Sequence, residues 1–522
     1  MRLAPPLVLY PLPAMIHVSP ALVLPLTCVL AQAPPGQDAQ VKPPDAAAQQ
    51  PDALYGAGRG LEITLEGACE IALQQNLLLA SEALNTDLAL FTYRGSYGTY
   101  DWLFNAGGGV SDTKGQAQSV FGGENVNTES ANFGFQRTFD IGGVFEAKYS
   151  RVNTETNSTT TTINPSTHDL VALTYTQPIL RAAWREYTTA TQRETEYFWR
   201  QQVEKQRQAR QKLLRDVSFA YWDLVAARDE LEVKISGVDL AKAQVEQEKR
   251  RLDAGVGTRL DVLQAETQVA TRDQERLLAD VRARGAADAL RALLFPGKDR
   301  DRWETALLPK TTLPEDAPAD AAPAWTRALD VALDQRSELR VQRITIDLMA
   351  LRQDLRKSDK LPTLDVSVGA TGEGFSGDPQ TALDDATSLN YPTFSAFLTF
   401  KYPIGNTSAR WALEAAWLNL RKARLDYDQL ESQIAAEVRE AVRQALYQSE
   451  SVKAARKSIE LAREQLKAEE ARRQVEITTN FQVLKFQQDL VAALSSERAA
   501  RANYAKALVA LKHSQGVLGD RP

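Results

Sequence analysis

The chain has 522 residues, 25% charged and 43% hydrophobic, which are ordinary globular values. Its net charge of −6 leaves no basic footprint and argues against nucleic acid as a partner. Two cysteines (Cys28, Cys69) and three histidines (His17, His168, His513) are too few and too scattered for a disulfide framework or a metal centre. No phosphate-binding glycine loop or GxSxG turn occurs, so neither a cofactor nor an enzymatic activity is expected.

Residues 1–31 read as a signal peptide. Arg2 is the only early charge, residues 3–31 are uncharged and apolar, and Val29-Leu30-Ala31 offers a cleavage site. Pro25-Leu26-Thr27 before Cys28 fits a lipobox poorly. Residues 32–60, rich in Pro, Ala, Gln and Gly, are expected to form a linker. No later stretch approaches about 18 uncharged apolar residues, so an exported chain of this kind is periplasmic, secreted or in the outer membrane.

A first structural repeat is expected over 61–300. Its helical pattern runs from near Thr64 to Tyr93. Strands follow over 99–177. Tyr100, Trp102, Phe104, Ala106 and Val110 share one face, opposed by Asp101, Asn105 and Ser111. Phe133, Phe135 and Phe139 form a second set, then Phe145, Ala147 and Tyr149 against Glu146, Lys148 and Ser150, then Val171, Leu173 and Tyr175. Gly142-Gly143 supplies a turn. From Arg181 almost nothing breaks a helix until Ala254, a length of roughly 110 Å. A second helix runs to Leu294, closing a helical hairpin over 181–296, and Pro296-Gly297 ends it.

Residues 301–323 are proline-rich and read as a linker. The second repeat spans 324–516: helix to Lys357, strands over 362–403, and a helical hairpin over 408–513. Leu364, Val366, Val368 and Ala370 alternate with Asp365, Ser367 and Gly369; Phe394, Ala396, Leu398, Phe400 and Tyr402 alternate with Ser395, Thr399 and Lys401.

The two halves repeat. Thr479 lies 221 residues after Thr258, and this offset also aligns Arg251 with Arg472, Val262 with Val483 and Leu263 with Leu484. The long helices carry heptad seams: Leu213, Val217, Ala220, Leu224, Ala227 and Leu231 in the first, and Ile434, Val438, Ala441, Ala445, Gln448, Val452, Ala455, Ile459, Ala462 and Leu466 in the second. Heptads alone favour a coiled-coil rod, and the interrupting strands count against it. Asn153–Thr167 and Glu373–Pro392 would be loops outside a barrel. Four to six strands cannot close a barrel with a usable bore, so strands must be pooled among copies.

The ordered landmarks resemble the TolC family of outer-membrane efflux proteins over roughly residues 62–516. The matching residues are Thr176-Gln177-Pro178-Ile179-Leu180-Arg181, Lys401-Tyr402-Pro403-Ile404-Gly405-Asn406, Ala254-Gly255-Val256-Gly257-Thr258 with Asp261-Val262-Leu263, and Thr478-Thr479-Asn480-Phe481 with Val483-Leu484. The resemblance implies a mainly α fold with a β-barrel portion. It implies a homotrimer with one shared barrel in outer-membrane lipid and a coiled-coil tunnel across the periplasm. A periplasmic adaptor and an inner-membrane pump dock below, and the channel conducts passively.

On that reading Gly255, Val256, Gly257, Thr258, Thr478, Thr479 and Asn480 form the periplasmic tips and contact the adaptor. Gly255 and Gly257 suit positive φ, and Thr258 and Thr479 suit helix caps. Pro178 and Pro403 pre-set the bends from strand to helix. Asp261, Gln482 and Lys485 stand where the family places its entrance constriction. Only Asp261 is acidic, which puts a carboxylate ring in doubt and leaves Lys485 to supply positive charge. Glu476-Ile477 departs from the usual glycine. Ser166 and His168 on one loop make a poor nucleophile–base pair. His513 reads as a solvated helix residue, and Trp411 and Trp417 as packing residues before membrane-interface anchors. The alternatives are the outer component of type I protein secretion and a non-conducting periplasmic tether.

Overall fold

A computed structural model describes residues 61–115, 125–158, 160–295, 297, 303, 305–314, 323–475 and 477–519. The leader and the linker read over 1–60, together with Pro296 and Glu476, lie outside them. No helix among the described residues is long and apolar enough to cross a membrane.

Six strands form one antiparallel sheet in the order β2-β3-β4-β5-β7-β8: β2 (Leu103–Lys114), β3 (Asn125–Thr138), β4 (Val144–Thr156), β5 (Ser166–Pro178), β7 (Thr363–Ser376) and β8 (Pro392–Lys401). β5 and β7 pair from Thr167↔Ser376 to Pro178↔Asp365. The two repeats therefore join within one sheet, four strands from the first and two from the second, and the register puts their apolar sets on the same side. Phe104 faces Phe135, Phe133 faces Tyr149, Tyr149 faces Val171, Leu173 faces Ala370, and Ala370 faces Phe394. This face stays exposed, with Phe133 and Phe135 each 47% and Phe394 76% accessible. The opposite face carries Asn105, Lys148, Thr174, Ser367 and Thr399. Aromatics outside and polar residues inside are the alternation of a membrane-barrel wall.

The strands at the outer end run longer than the sequence suggests. β4 reaches Thr156 and β7 reaches Ser376, which shortens the first expected loop and replaces much of the second with a helix, α7 (Pro379–Thr387). Asp378 caps it by accepting from the Thr381 amide at 2.9 Å, with Pro379 in its first turn. α7 lies on the apolar face of β5 and β7. Gly372 and Gly374 admit it: a Cβ at either would run into the carbonyl oxygens of Ala386 and Ala382. Beneath its start, fully buried Asp169 accepts from Arg151 Nε at 2.8 Å, Arg151 Nη2 at 2.7 Å and the Tyr149 hydroxyl at 2.9 Å. Arg151 also donates to the Pro379 carbonyl at 3.0 Å.

The helices are α1 (Leu65–Gln75), α2 (Leu77–Gly95), α3 (Ala190–Asp253), α4 (Arg259–Leu294), α5 (Trp325–Gln335), α6 (Ser337–Asp359), α8 (Thr407–Gln474) and α9 (Asn480–Ser514). α3 has 64 residues and α8 has 68, or roughly 100 Å each. Both helices read as continuous before the strands are broken. Asn76 takes ψ 120 and its side chain accepts from the Leu78 and Leu79 amides, ending α1 and starting α2. Arg336, also at ψ 120, breaks the helix between α5 and α6 without a side-chain cap, its guanidinium donating instead to the Ser514 carbonyl and Glu437. The helical part is an arc in which α2 packs on α3, α3 on α6, and α6 on α8; α3 and α8 pair with α4 and α9 to form the two hairpins.

The heptad seams are where the core lies. Val217 and Leu224 are at most 1% exposed, as are Ile434, Val438, Ala445 and Val452. The stretch read as linker over 301–323 also contributes. Leu307–Pro309 forms β6 and pairs in parallel with β1 (Leu61–Ile63), while Leu307 and Leu313 join Tyr221, Leu290 and Leu294 in the main cluster. The Tyr221 hydroxyl donates to the Ile63 carbonyl at 3.1 Å and accepts from the Thr311 amide at 3.0 Å, so it ties both short segments to α3.

Candidate functional site

The expected bends differ from the sequence reading. Pro178 is the last paired residue of β5, and Pro403 precedes α8 by several residues, so neither sits in a first helical turn. After Pro178 the chain stays on its partner, with the Ile179 amide donating to Leu364 O at 2.7 Å and Arg181 paired to Asp359 at 3.0 Å. At the second bend Gly405 (φ 87) and Asn406 (φ 43) make the left-handed reversal, and Asn406 Nδ2 donates to the Lys360 carbonyl at 2.9 Å.

At the far end of the long helices each hairpin reverses. The first turn closes on α3 through three amides: Gly255 to Leu252 O, and Val256 and Gly257 to Arg251 O, each at 3.0 Å. Gly255 has φ 75 as expected. Gly257 does not have positive φ; it is needed because a Cβ there would sit 2.9 Å from the Leu252 nitrogen. Thr258 and Asp261 form a reciprocal cap. Thr258 Oγ1 accepts from the Asp261 amide at 3.2 Å, and Asp261 Oδ2 accepts from the Thr258 amide at 3.2 Å and its hydroxyl at 2.6 Å. The hydrogen bond from the Thr258 side chain holds the Asp261 carboxyl below its ordinary range.

The second turn is built differently. Thr479 has the extended backbone of a cap residue, φ −92 and ψ 155, but its side chain makes no capping bond. The residue three beyond it is Gln482, where the first copy has Asp261. Thr478 instead donates its hydroxyl to Glu469, and Arg473 Nη1 donates to the Thr478 carbonyl at 3.4 Å. Asn480 is the first residue of α9. Gln482 and Lys485 share one exposed face of α9, and no ion pair to Lys485 occurs among the described residues.

The hairpins are joined just above the turns by a contact the sequence reading missed. Glu248, 1% exposed, accepts from Gln244 Nε2 at 2.9 Å and from Arg473 Nη2 at 3.4 Å, with Arg251 Nε at 3.7 Å. The signal was present: Val238, Ala241, Val245 and Glu248 continue the α3 seam at heptad spacing, and a glutamate in a seam needs a buried partner. Outside this contact the turns are apolar and bare. Val256, Leu260, Leu263, Val475, Ile477 and Phe481 are all exposed.

Three placements differ from the sequence reading. Ser166 and His168 lie in β5 and not on a loop, and His168 meets Glu373 at 2.6 Å across β5 and β7. His513 is half-buried, not a freely solvated helix residue: burial first, then the positive charges of Arg215 and Arg336, push its imidazole down to about 4. Trp411 and Trp417 are exposed and not packed, Trp417 lying under the Arg421 guanidinium at 5.7 Å. No cluster of three metal-ligating side chains occurs among the described residues.

A barrel-wall sheet standing on helical hairpins of about 100 Å defines an outer-membrane channel protein with a periplasmic helical tunnel. The chain belongs to the outer membrane efflux protein family, which matches residues 140–294 and 328–517. It is 24% identical over 322 residues to the alkaline protease secretion protein AprF of Pseudomonas aeruginosa, a match spanning 61% of this chain and 64% of that protein. The solved outer membrane protein VceC of Vibrio cholerae is 16% identical at TM-score 0.63, with 87% of this chain and 96% of that chain covered. The CmeC outer membrane channel of Campylobacter jejuni is 14% identical at TM-score 0.63, with 87% and 85% covered. At these identities the structures share the fold.

Proposed function

We propose that the protein forms a homotrimer that passively conducts substrates outward from a periplasmic adaptor and inner-membrane pump. The observation that carries this is the six-stranded sheet itself. Its apolar face suits lipid, it has two unpaired edges, and it is joined to helices that reach roughly 100 Å. A wall of that size encloses a bore only when several copies combine.

The hairpin turns are the docking surface for the adaptor. Gly255, Val256, Gly257 and Thr258, with Thr478, Thr479 and Asn480, present a rim ringed by exposed Val256, Leu260, Ile477 and Phe481. Large apolar side chains clustered at a turn mark a protein contact. Asp261, Gln482 and Lys485 line the entrance, three copies of each per trimer.

Purified oligomer in a planar lipid bilayer tests conduction: discrete openings are expected, and their absence would leave a tether. The similarity to a protease secretion protein favours a second reading, the outer component of a type I protein-secretion machine. Pull-down of the partner pump from cells expressing Val256→Cys protein cross-linked at the tip separates the two, since each reading names a different class of pump.

A further inference from the structure

Where the helices leave the sheet, its apolar face ends in a cavity. On β3, β4 and β5 the lowest row of that face pairs Tyr175 with Phe145 and Phe145 with Arg137. Just below, the β3–β4 turn, the 3-10 turn Ser96–Tyr100 and the first turns of α3 enclose about 400 Å³. That is the size of a small-ligand site. Its lining holds three guanidiniums, Arg137, Arg185 and Arg193, against two carboxylates, Asp140 and Glu196.

Both carboxylates are already engaged. Asp140 pairs with Arg185 at 2.9 Å, and Glu196 pairs with Arg200, which stands outside the cavity. Arg137 and Arg193 are left without a carboxylate partner among the described residues. Arg137 is nevertheless fixed in place. Its Nε donates to the Tyr100 carbonyl at 3.1 Å, and its guanidinium carbon lies 5.5 Å from the Trp102 ring centre and 5.4 Å from that of Phe139. These contacts leave its terminal amino groups without an acceptor among the described residues. Arg193 is half-buried, and its side chain makes no hydrogen bond or ion pair among them. Two uncompensated guanidiniums lining one cavity favour an anion there.

The position identifies the anion. Trp102 meets Phe145 edge-on at 6.0 Å and Phe139 meets Tyr175 at 6.3 Å, an aromatic girdle of the kind that marks a membrane interface. The long helices leave the sheet at this end, so the interface is the periplasmic one, where the headgroups of the inner leaflet lie. A lipid phosphate at this level has its charge beside the guanidiniums and its acyl chains along the apolar band.

We propose that this cavity is a lipid site, in which Arg137 and Arg193 hold the phosphate of an anionic phospholipid from the inner leaflet, with exposed Tyr97 beside the headgroup. A lipid held there sets the height of the wall at the joint between strands and helices. This rests on the apolar face meeting lipid and is independent of how many copies assemble.

Lipid retention tests it. The full-length protein is reconstituted in vesicles of equal phosphatidylglycerol and phosphatidylcholine with identical acyl chains, then re-extracted in mild detergent. Native mass spectrometry counts the lipids that stay bound. The wild type is expected to retain phosphatidylglycerol over phosphatidylcholine by about fivefold or more, the factor contributed by one cation near a membrane surface. Arg137→Gln with Arg193→Gln should bring the ratio close to one. Arg282→Gln with Arg284→Gln, which removes as much charge from the exposed side of α4, should leave it unchanged. Arg193→Gln alone, at a side chain with no protein partner to lose, should lower the ratio and carries the test if the double variant fails to assemble. A wild-type ratio near one, or a preference that the Arg137 and Arg193 variants keep, overturns the site. So does an equal loss in the α4 variant, which would make the preference a matter of net charge. Excess inorganic phosphate should leave the preference intact; phosphate that abolishes it would leave an anion site and overturn the lipid assignment. Wild-type protein that carries neither lipid would overturn the site together with the lipid-facing reading of the sheet.

Discussion

At the residue scale the two hairpin turns are unequal in a way that can be measured. Thr258 and Asp261 cap each other, whereas Thr479 makes no side-chain cap. Thr258→Ala is expected to cost about 1 kcal/mol and Thr479→Ala only a few tenths. Hydrogen exchange at the first amides of α4 and α9 reads the difference, and equal protection losses in the two variants would contradict it. His513 supplies a second test. The unfolded chain takes up the proton near the ordinary 6.5, while the folded chain does so only near 4. The unfolded state therefore binds more protons between those values, and stability falls as pH drops from about 6.5 to 4 with no effect above that window. His513→Gln should flatten that part of the Tm profile; an unchanged profile would assign the acid sensitivity to other groups. The histidine could not be read from the sequence as partly buried, because its surroundings include Arg215 on α3 and Arg336 between α5 and α6, far away in the chain.

At the element scale the long helices were legible and the outer end of the sheet was not. A seam such as Ile434, Val438, Ala445 and Val452 repeats over many turns, so each residue reports the same face, and all four are buried. The strands were visible as alternation, but their register depends on pairing between β5 and β7, which lie on opposite sides of a helical hairpin. β1 and β6 were missed because a run of three residues carries no periodicity. The breaks at Asn76 and Arg336 were missed for a different reason: a single residue at ψ 120 leaves the apolar spacing almost intact. Helix α7 was hidden by composition, since Asp378, Pro379, Asp384 and Asp385 read as loop. What makes it a docked helix is the pair Gly372 and Gly374, which leaves room on β7, and the buried Asp169 beneath its start. Gly374→Val is expected to displace α7 and open the 377–391 segment to protease on whole cells while the oligomer survives. Asp169→Asn should cost about 2 kcal/mol, because the buried position loses its charge-assisted bonds while Arg151, partly open to solvent, regains some hydration. If Asp169→Asn left the thermal stability of the oligomer unchanged, the buried pair would not be what holds this corner.

At the scale of the whole molecule, the proposed trimer would divide the work between a wide wall and a narrower tip. In the proposed trimer, a wall more than a Debye length of about 8 Å from the axis leaves charges on its inner face largely screened from an ion there. Selectivity then falls to the entrance, where the proposed trimer would bring the hairpin turns of three copies together. Asp261 remains charged at neutral pH, but its carboxylate is bound to Thr258 at the start of α4. Lys485 is exposed on α9. Three lysines about 10 Å from the axis would raise the energy of a monovalent cation there by about 1.2 kcal/mol at the permittivity of water, close to a tenfold effect. Asp489, one turn further along α9, offsets part of that field. The wild-type channel is therefore expected to be less cation-selective than Lys485→Glu, with the reversal potential across a KCl gradient shifting on substitution. The contrast should be clear at about 0.01 M salt, where the Debye length is about 30 Å, and vanish near 1 M, where it is about 3 Å. A shift that persisted at high salt would point to a change in pore shape rather than field, and no shift at low salt would remove Lys485 from the conduction path.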